Sequence, residues 1–158
     1  MSADFDVVDL LLDQHLRIEQ LFAGVLAARG DERQRAFDDL ARLLMAHEAA
    51  EQEVVHPIAR EVMSGGEAII DDRFDEELQI RATLAVLAET DPDEQAFTAA
   101  LLVLRDTVLT HARREERDEF PHLRANLSST RLQALADAVR AAEQVAPEGE
   151  SGRVSYGQ

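Results

Sequence analysis

The sequence contains no cysteine in 158 residues. Disulfides, zinc–thiolate sites and iron–sulfur clusters are therefore excluded, and any bound metal must be held by nitrogen and oxygen. Aromatic residues make up only 4% of the chain, and no alternating apolar run is bounded by hairpin turns, so sheet structure is not expected. No apolar stretch approaches the roughly 20 residues of a membrane span. The acidic start MSADFDVVD lacks the positive region of a signal peptide, which makes a cytoplasmic protein the expectation. Lysine is missing too: all 16 basic residues are arginine, against 32 acidic ones, for a formal charge of -16. Such a surface repels phosphate backbones, so neither nucleic acid nor an anionic membrane is expected as a partner.

What is present is helical periodicity. Apolar residues recur at three- and four-residue spacing nearly throughout, and a 46% hydrophobic content suffices for one core. A first helix is expected from about Asp6 to Arg29, ended by Gly30 in the manner of a glycine cap. Asp31 and Gln34 resemble a capping box for a second helix reaching about Met63, kinked by Pro57 near its end. The third covers about Glu67 to Glu89. In TDPDE, Asp91 is the expected N-cap of the fourth, with Pro92 at its first position and Glu94 closing a capping box. That helix extends to about Arg124, with Pro121 close to its end, and a shorter fifth runs from about Ser129 to Val145. The fold class expected is all-α, an up-down-up-down four-helix bundle with a short fifth helix over residues 1–146, followed by a disordered tail at 147–158.

Within the inward stripes sit residues that do not belong in an apolar core. The first helix carries Val8, Leu11, Leu12, His15, Ile18, Glu19, Phe22 and Leu26 on one stripe. The second carries Leu40, Leu43, Leu44, His47, Glu51, Val54 and Ile58, and the fourth Leu101, Leu104, Val108, His111 and Glu115. Side chains at i and i+4 share a helical face, so each HxxxE pair offers a nitrogen and an oxygen toward one point. On the third helix Glu77 is the one ionisable member of a stripe of Ile70, Phe74, Ile80, Leu84 and Leu87, while Glu76 is expected to face solvent.

A lone inward histidine is ordinarily a hydrogen-bonded core residue, and a lone glutamate ordinarily a solvated one. The set is different, because burying several carboxylates costs several kcal/mol per ion by order of magnitude and neutral imidazoles cannot offset the charge. Glu19, Glu51, Glu77 and Glu115 would be matched by two divalent cations. Mixed imidazole and carboxylate donors without sulfur suit iron, with manganese as the alternative, and six or seven donors are what a pair of ions needs. His56, about 180° from His47 on an ideal helix, and His122, after Pro121, are expected at ordinary packing or surface positions.

Across about residues 8 to 125 the sequence resembles the hemerythrin-like, or HHE cation-binding, family. DQHLRIEQLF is similar to its first-helix motif, HEAAEQEVVHP to its second and HARREERDEFP to its fourth. The resemblance implies a bundle around two oxo- or hydroxo-bridged irons, with His15, His47 and His111 as terminal ligands and Glu51 and Glu115 bridging. The third helix departs from the pattern: Glu77 stands where family members usually have a histidine. A further carboxylate should favour the ferric state and disfavour simple reversible oxygen carriage. The function expected is binding or sensing of oxygen, peroxide or nitric oxide, or iron buffering. A peroxide-decomposing or oxidase enzyme is the alternative.

Overall fold

Asp6 opens the first helix by a reciprocal cap: its carboxylate accepts from the Asp9 backbone N–H at 3.0 Å, and the Asp9 carboxylate accepts from the N–H of Asp6 at 3.1 Å. The computed structural model describes the backbone of residues 5–155 and the side chains of 5–145. Its elements are α1 (Val7–Ala27), α2 (Gly30–Ala50), a wide π turn (Glu51–Val55), α3 (His56–Val62), α4 (Gly66–Ala88), α5 (Gln95–Asp118), α6 (Phe120–Asn126) and α7 (Ser129–Ser155). Over 147–155, expected as part of a disordered tail, the backbone continues α7 to Ser155; the side chains of 146–158 and the backbone of 156–158 lie outside the described residues. No helix among the described residues is long and apolar enough to cross a membrane.

The chain forms the expected all-α bundle, with α1, α2 and its continuation, α4, and α5 as its four members and α7 packed against α1 and α2. Its interior is divided. One apolar cluster joins Val7, Val8 and Leu11 of α1 to Ala50, Val55, Ala59, Ile70, Phe120 and Leu123. The other joins Ile18, Phe22 and Val25 to Phe37, Leu40, Leu44, Ile80, Leu84, Phe97, Leu101 and Leu104. On each long helix the switch between clusters brackets an inward histidine or glutamate: His15, the stretch from His47 to Glu51, Glu77, and His111 with Glu115. A polar layer thus crosses the bundle between two dry ones. Leu132, Leu135, Ala136 and Val139 of α7 complete the first cluster.

Two expected helix starts are displaced. Arg29, not Asp31, occupies the N-cap position of α2 and makes no side-chain cap bond, while Gln34 bonds Asp38. Gly30 adopts φ +58°, the left-handed region that glycine enters without penalty. Likewise α5 begins at Gln95, because Asp91 closes a turn on itself: its carboxylate accepts from the Asp93 N–H at 3.0 Å and its carbonyl from the Glu94 N–H.

Buried Arg33 fixes both corners. Its guanidinium donates to the carbonyls of Val25 (3.0 Å), Leu26 (3.3 Å) and Pro92 (2.8 Å) and to the Thr98 hydroxyl (3.1 Å). It thereby satisfies carbonyls at the end of α1 and ties them to the 91–98 corner. Arg33→Ala should cost roughly 2–4 kcal/mol, since hydrogen bonds to a charged group contribute about 1.5–3 kcal/mol and buried acceptors would be stranded. Urea unfolding of the metal-free protein measures this, and metal content should be unchanged because Arg33 lies at the far end of the bundle from the polar layer.

Candidate metal centre

The register of the polar layer depends on two prolines. Pro57 has no N–H and its ring crowds the carbonyl four residues back, so the α-ladder cannot run through it unmodified. The helix relaxes into the π turn Glu51–Val55, where the His56 N–H bonds the Glu51 carbonyl five residues earlier. One extra residue in the turn changes the phase by about 100°, which puts His56 within about 40° of Glu51, like an i, i+4 pair. His56, expected at a packing or surface position, is instead fully buried among the metal-binding candidates. Further along, α5 carries the spacing His111, Glu115, Glu119 to the break before Pro121, and all three face inward.

Four histidines present one ring nitrogen each to the centre. The Nε2 of His15 lies 3.1 Å from Glu115 Oε1, and that of His47 3.1 Å from Glu51 Oε2. The Nε2 of His56 is 2.8 Å from Glu77 Oε2, and that of His111 is 3.0 Å from Glu115 Oε2 and 3.2 Å from Glu77 Oε2. Glu77 Oε1 accepts from the Gln52 amide at 2.9 Å. Three overlapping sets of donors converge: His15, His47, Glu51 and Glu115; Glu51, His56, Glu77 and Glu115; and Glu48, Glu51, Glu77 and His111. Within each set the ligand atoms lie within 4.8 Å of one another.

Every one of these rings is held from behind. His15 Nδ1 donates to Glu116 at 2.8 Å, His47 Nδ1 to Gln14 at 2.8 Å, His56 Nδ1 to Glu119 at 2.7 Å, and His111 Nδ1 to Glu76 at 2.7 Å. A proton committed to Nδ1 leaves Nε2 with its lone pair aimed inward, the arrangement that a metal-ligating histidine requires. Glu76 also accepts from Arg73 and Arg114. Burial pushes its carboxyl up, but the bonds from His111, Arg73 and Arg114 outweigh that and hold it at about 2. Glu76 is therefore not the solvent-facing residue expected; it orients His111.

The inner groups fit cations and little else. Both oxygens of Glu51 and of Glu115, with the Nε2 atoms of His15 and His111, are buried without a hydrogen-bond partner. Lone pairs facing lone pairs repel unless positive charge lies between them. In a metal-free chain protons take that role: burial works against charging His15, His56 and His111, yet the carboxylates around them hold all three well above the ordinary imidazole range. Glu51, despite burial, is held well below the usual carboxylate range by His47, His111 and His15.

Of the seven residues expected as ligands, His15, His47, Glu51, Glu77, His111 and Glu115 meet in this layer. Glu19 does not. Its side chain is 46% exposed and lies 3.5 Å from Arg113, because α1 turns the position after Ile18 outward. His122 is exposed, as expected. The periodicity reading passed over buried Glu48 and Glu119, although Glu119 continues the spacing of His111 and Glu115 and Glu48 lies four residues after Leu44.

A model of the hemerythrin HHE cation-binding domain matches residues 6–123. The chain belongs to this family. Among solved structures it is similar to a hemerythrin HHE cation-binding domain-containing protein from Mycobacterium kansasii, with a TM-score of 0.81, 21% identity, and coverage of 95% of this chain and 92% of that one. Among curated proteins it is 28% identical over 141 residues to a DNA nickase of a Nostoc strain. The match spans 89% of this chain and 40% of that relative's length.

His56→Ala should lower metal affinity at least about tenfold, the smallest loss usual even for outer partners of a metal ligand, while His122→Ala should leave it unchanged. Equilibrium dialysis with elemental analysis distinguishes the two. For the metal-free protein, the depressed Glu76 carboxyl contributes stability that is complete above its ordinary value of 4.5 and is lost as pH falls through that value toward about 2. Glu76→Gln should accordingly flatten the acid limb of a stability–pH curve over that window.

Proposed function

We propose that this HHE-domain chain holds two iron ions in the polar layer and uses them to bind or sense a small oxygen or nitrogen species: oxygen, peroxide or nitric oxide. The observation that carries the reading is the space beside the donors. A cavity of about 10 Å³ lies against His15, His47, Glu48 and His111 and is closed by Ile18, Val108, Leu109 and Ala112. That volume holds about one water-sized molecule, so the space among the donors admits a small ion or ligand and excludes an organic substrate. Iron bound here would supply one-electron chemistry and Lewis acidity. The chain's own residues do the rest. His15, His47, His56 and His111, with Glu51, Glu77 and Glu115, provide the donors, and Gln14, Glu76, Glu116 and Glu119 fix the rings. The apolar wall keeps bulk water from the cavity.

Peroxide decomposition is the second reading, favoured by the carboxylate at Glu77. An anionic oxygen donor stabilises the ferric state more than imidazole does, which works against reversible oxygen carriage and suits turnover of peroxide. DNA nicking is not carried over from the Nostoc relative, of which the chain covers only 40%, and a formal charge of -16 opposes approach to a phosphate backbone.

After anaerobic reconstitution with ferrous iron, elemental analysis should find two irons per chain, and His111→Ala should lower that content. Glu77→His should raise the reduction potential and slow peroxide consumption relative to the parent chain, measured by potentiometric titration and stopped-flow absorbance. Trace iron in the parent chain would overturn the di-iron reading. An unchanged potential in Glu77→His would remove Glu77 from the ligand set.

A further inference from the structure

Glu48 is a buried carboxylate that the HxxxE spacing does not use. It sits on α2 between His47 and Glu51, with 5% of its surface exposed, and its Oε1 has no hydrogen-bond partner. That oxygen lies 3.7 Å from His111 Nε2, itself unpartnered. Ligand atoms of Glu48, Glu51, Glu77 and His111 fall within 4.8 Å of one another. The residue also lines the small cavity.

The ordinary uses of an inward glutamate do not apply to it. Glu76, Glu116 and Glu119 each accept from a histidine Nδ1, and Glu76 and Glu116 also meet arginines. Among the described residues, no arginine pairs with Glu48 and no histidine Nδ1 donates to it. Its stranded oxygen matches those of Glu51 and Glu115, the two residues that the motif places on the metals. Charge points the same way. With Glu19 outside, the inner layer would hold three carboxylates, Glu51, Glu77 and Glu115; Glu48 restores the four that balance two divalent cations.

We propose that Glu48 is a fourth carboxylate ligand, coordinating the ion nearest His111 together with Glu51 and Glu77 from the wall of the cavity. The inference rests on the metal-binding reading of the layer and adds a ligand to it.

Cobalt(II) is a suitable probe, because its visible bands report coordination number and geometry without any turnover. The metal-free parent chain, Glu48→Gln and Glu48→Ala are each titrated with cobalt(II), and the thermal midpoint of each metal-free form is recorded. Outer partners of metal ligands carry roughly 10–100-fold in affinity, so losing a direct ligand should weaken one of the two cobalt sites by at least about 100-fold and change its visible spectrum. The metal-free variants should melt at or above the parent's midpoint, since a buried unpaired carboxylate has been removed. Two variants matching the parent in affinity and spectrum would overturn the Glu48 assignment alone. So would a metal-free Glu48→Gln that melts well below the parent, which would make the residue a support of the fold. A parent chain that takes up no cobalt would overturn the metal-binding reading as well.

Discussion

Four glutamates and four histidines share one layer of an otherwise apolar bundle, and the charge they carry must be matched inside that layer. Glu48, Glu51, Glu77 and Glu115 have no arginine within reach among the described residues, so the matching charge must come from bound cations or from protons on the histidines beside them. Leaving such carboxylates unmatched costs several kcal/mol each by order of magnitude, comparable in total to the whole stability of a domain this size. The two dry clusters above and below supply the apolar burial that holds the layer in place. Folding and cation binding are for that reason linked: whatever occupies the layer in the folded chain and not in the unfolded one adds its binding free energy to stability.

Local backbone chemistry decides which side chains enter that layer. A regular α-helix through residues 47–56 would leave His56 on the face opposite His47, and the layer would have three histidines. Pro57 forbids the regular ladder, and the π turn that results rotates His56 inward against Glu77 and Glu119. Pro121 has a related effect on the other partner strand of helix. It ends α5 at Asp118, so Glu119 is the last residue of the inward run and Phe120 begins α6 by packing into the first apolar cluster, stacked at 5.7 Å against His15. The downstream prolines are thus part of how the site is built.

The bundle itself was legible in the sequence because amphipathic periodicity and the glycine and proline breaks agree with one another. The six expected candidates that share the layer were legible for a related reason: an ionisable residue at an inward phase is unusual enough to stand out. The errors have separate causes. Glu19 follows Ile18 at the edge of the stripe, and periodicity alone does not fix on which side an edge residue falls. His56 was misplaced because phase was counted as ideal α across a proline that changes it. Glu48, Glu76 and Glu119 lie among other charges in HEAAEQE, DEEL and RREERDEF, where a solvated face is the usual reading, and only tertiary packing separates the inward members. The helix starts at Asp31 and Asp91 failed because α2 opens one residue earlier, at Gly30, with Gln34 bonded to Asp38, and because the Asp91 carboxylate closes a turn on the Asp93 N–H.

Behind the four histidines the acceptors are unequal. His15, His56 and His111 donate to carboxylates, whereas His47 donates to the amide of Gln14, so its ring is the least polarised of the four. Arg113 stands beyond Glu116, and Arg73 and Arg114 beyond Glu76, which extends an alternation of charge from the layer to the surface. Among the described residues, Glu119 has no such outer cation. Burial pushes its carboxyl up to about 7 in spite of the bond from His56. An ionised Glu119 and a cation on the opposite nitrogen of His56 therefore support each other more strongly than in any other sector: the cation keeps the proton on Nδ1, and the carboxylate makes Nε2 the better donor. The residue that helical phase alone would have excluded is the one whose outer partner depends most on the layer being filled.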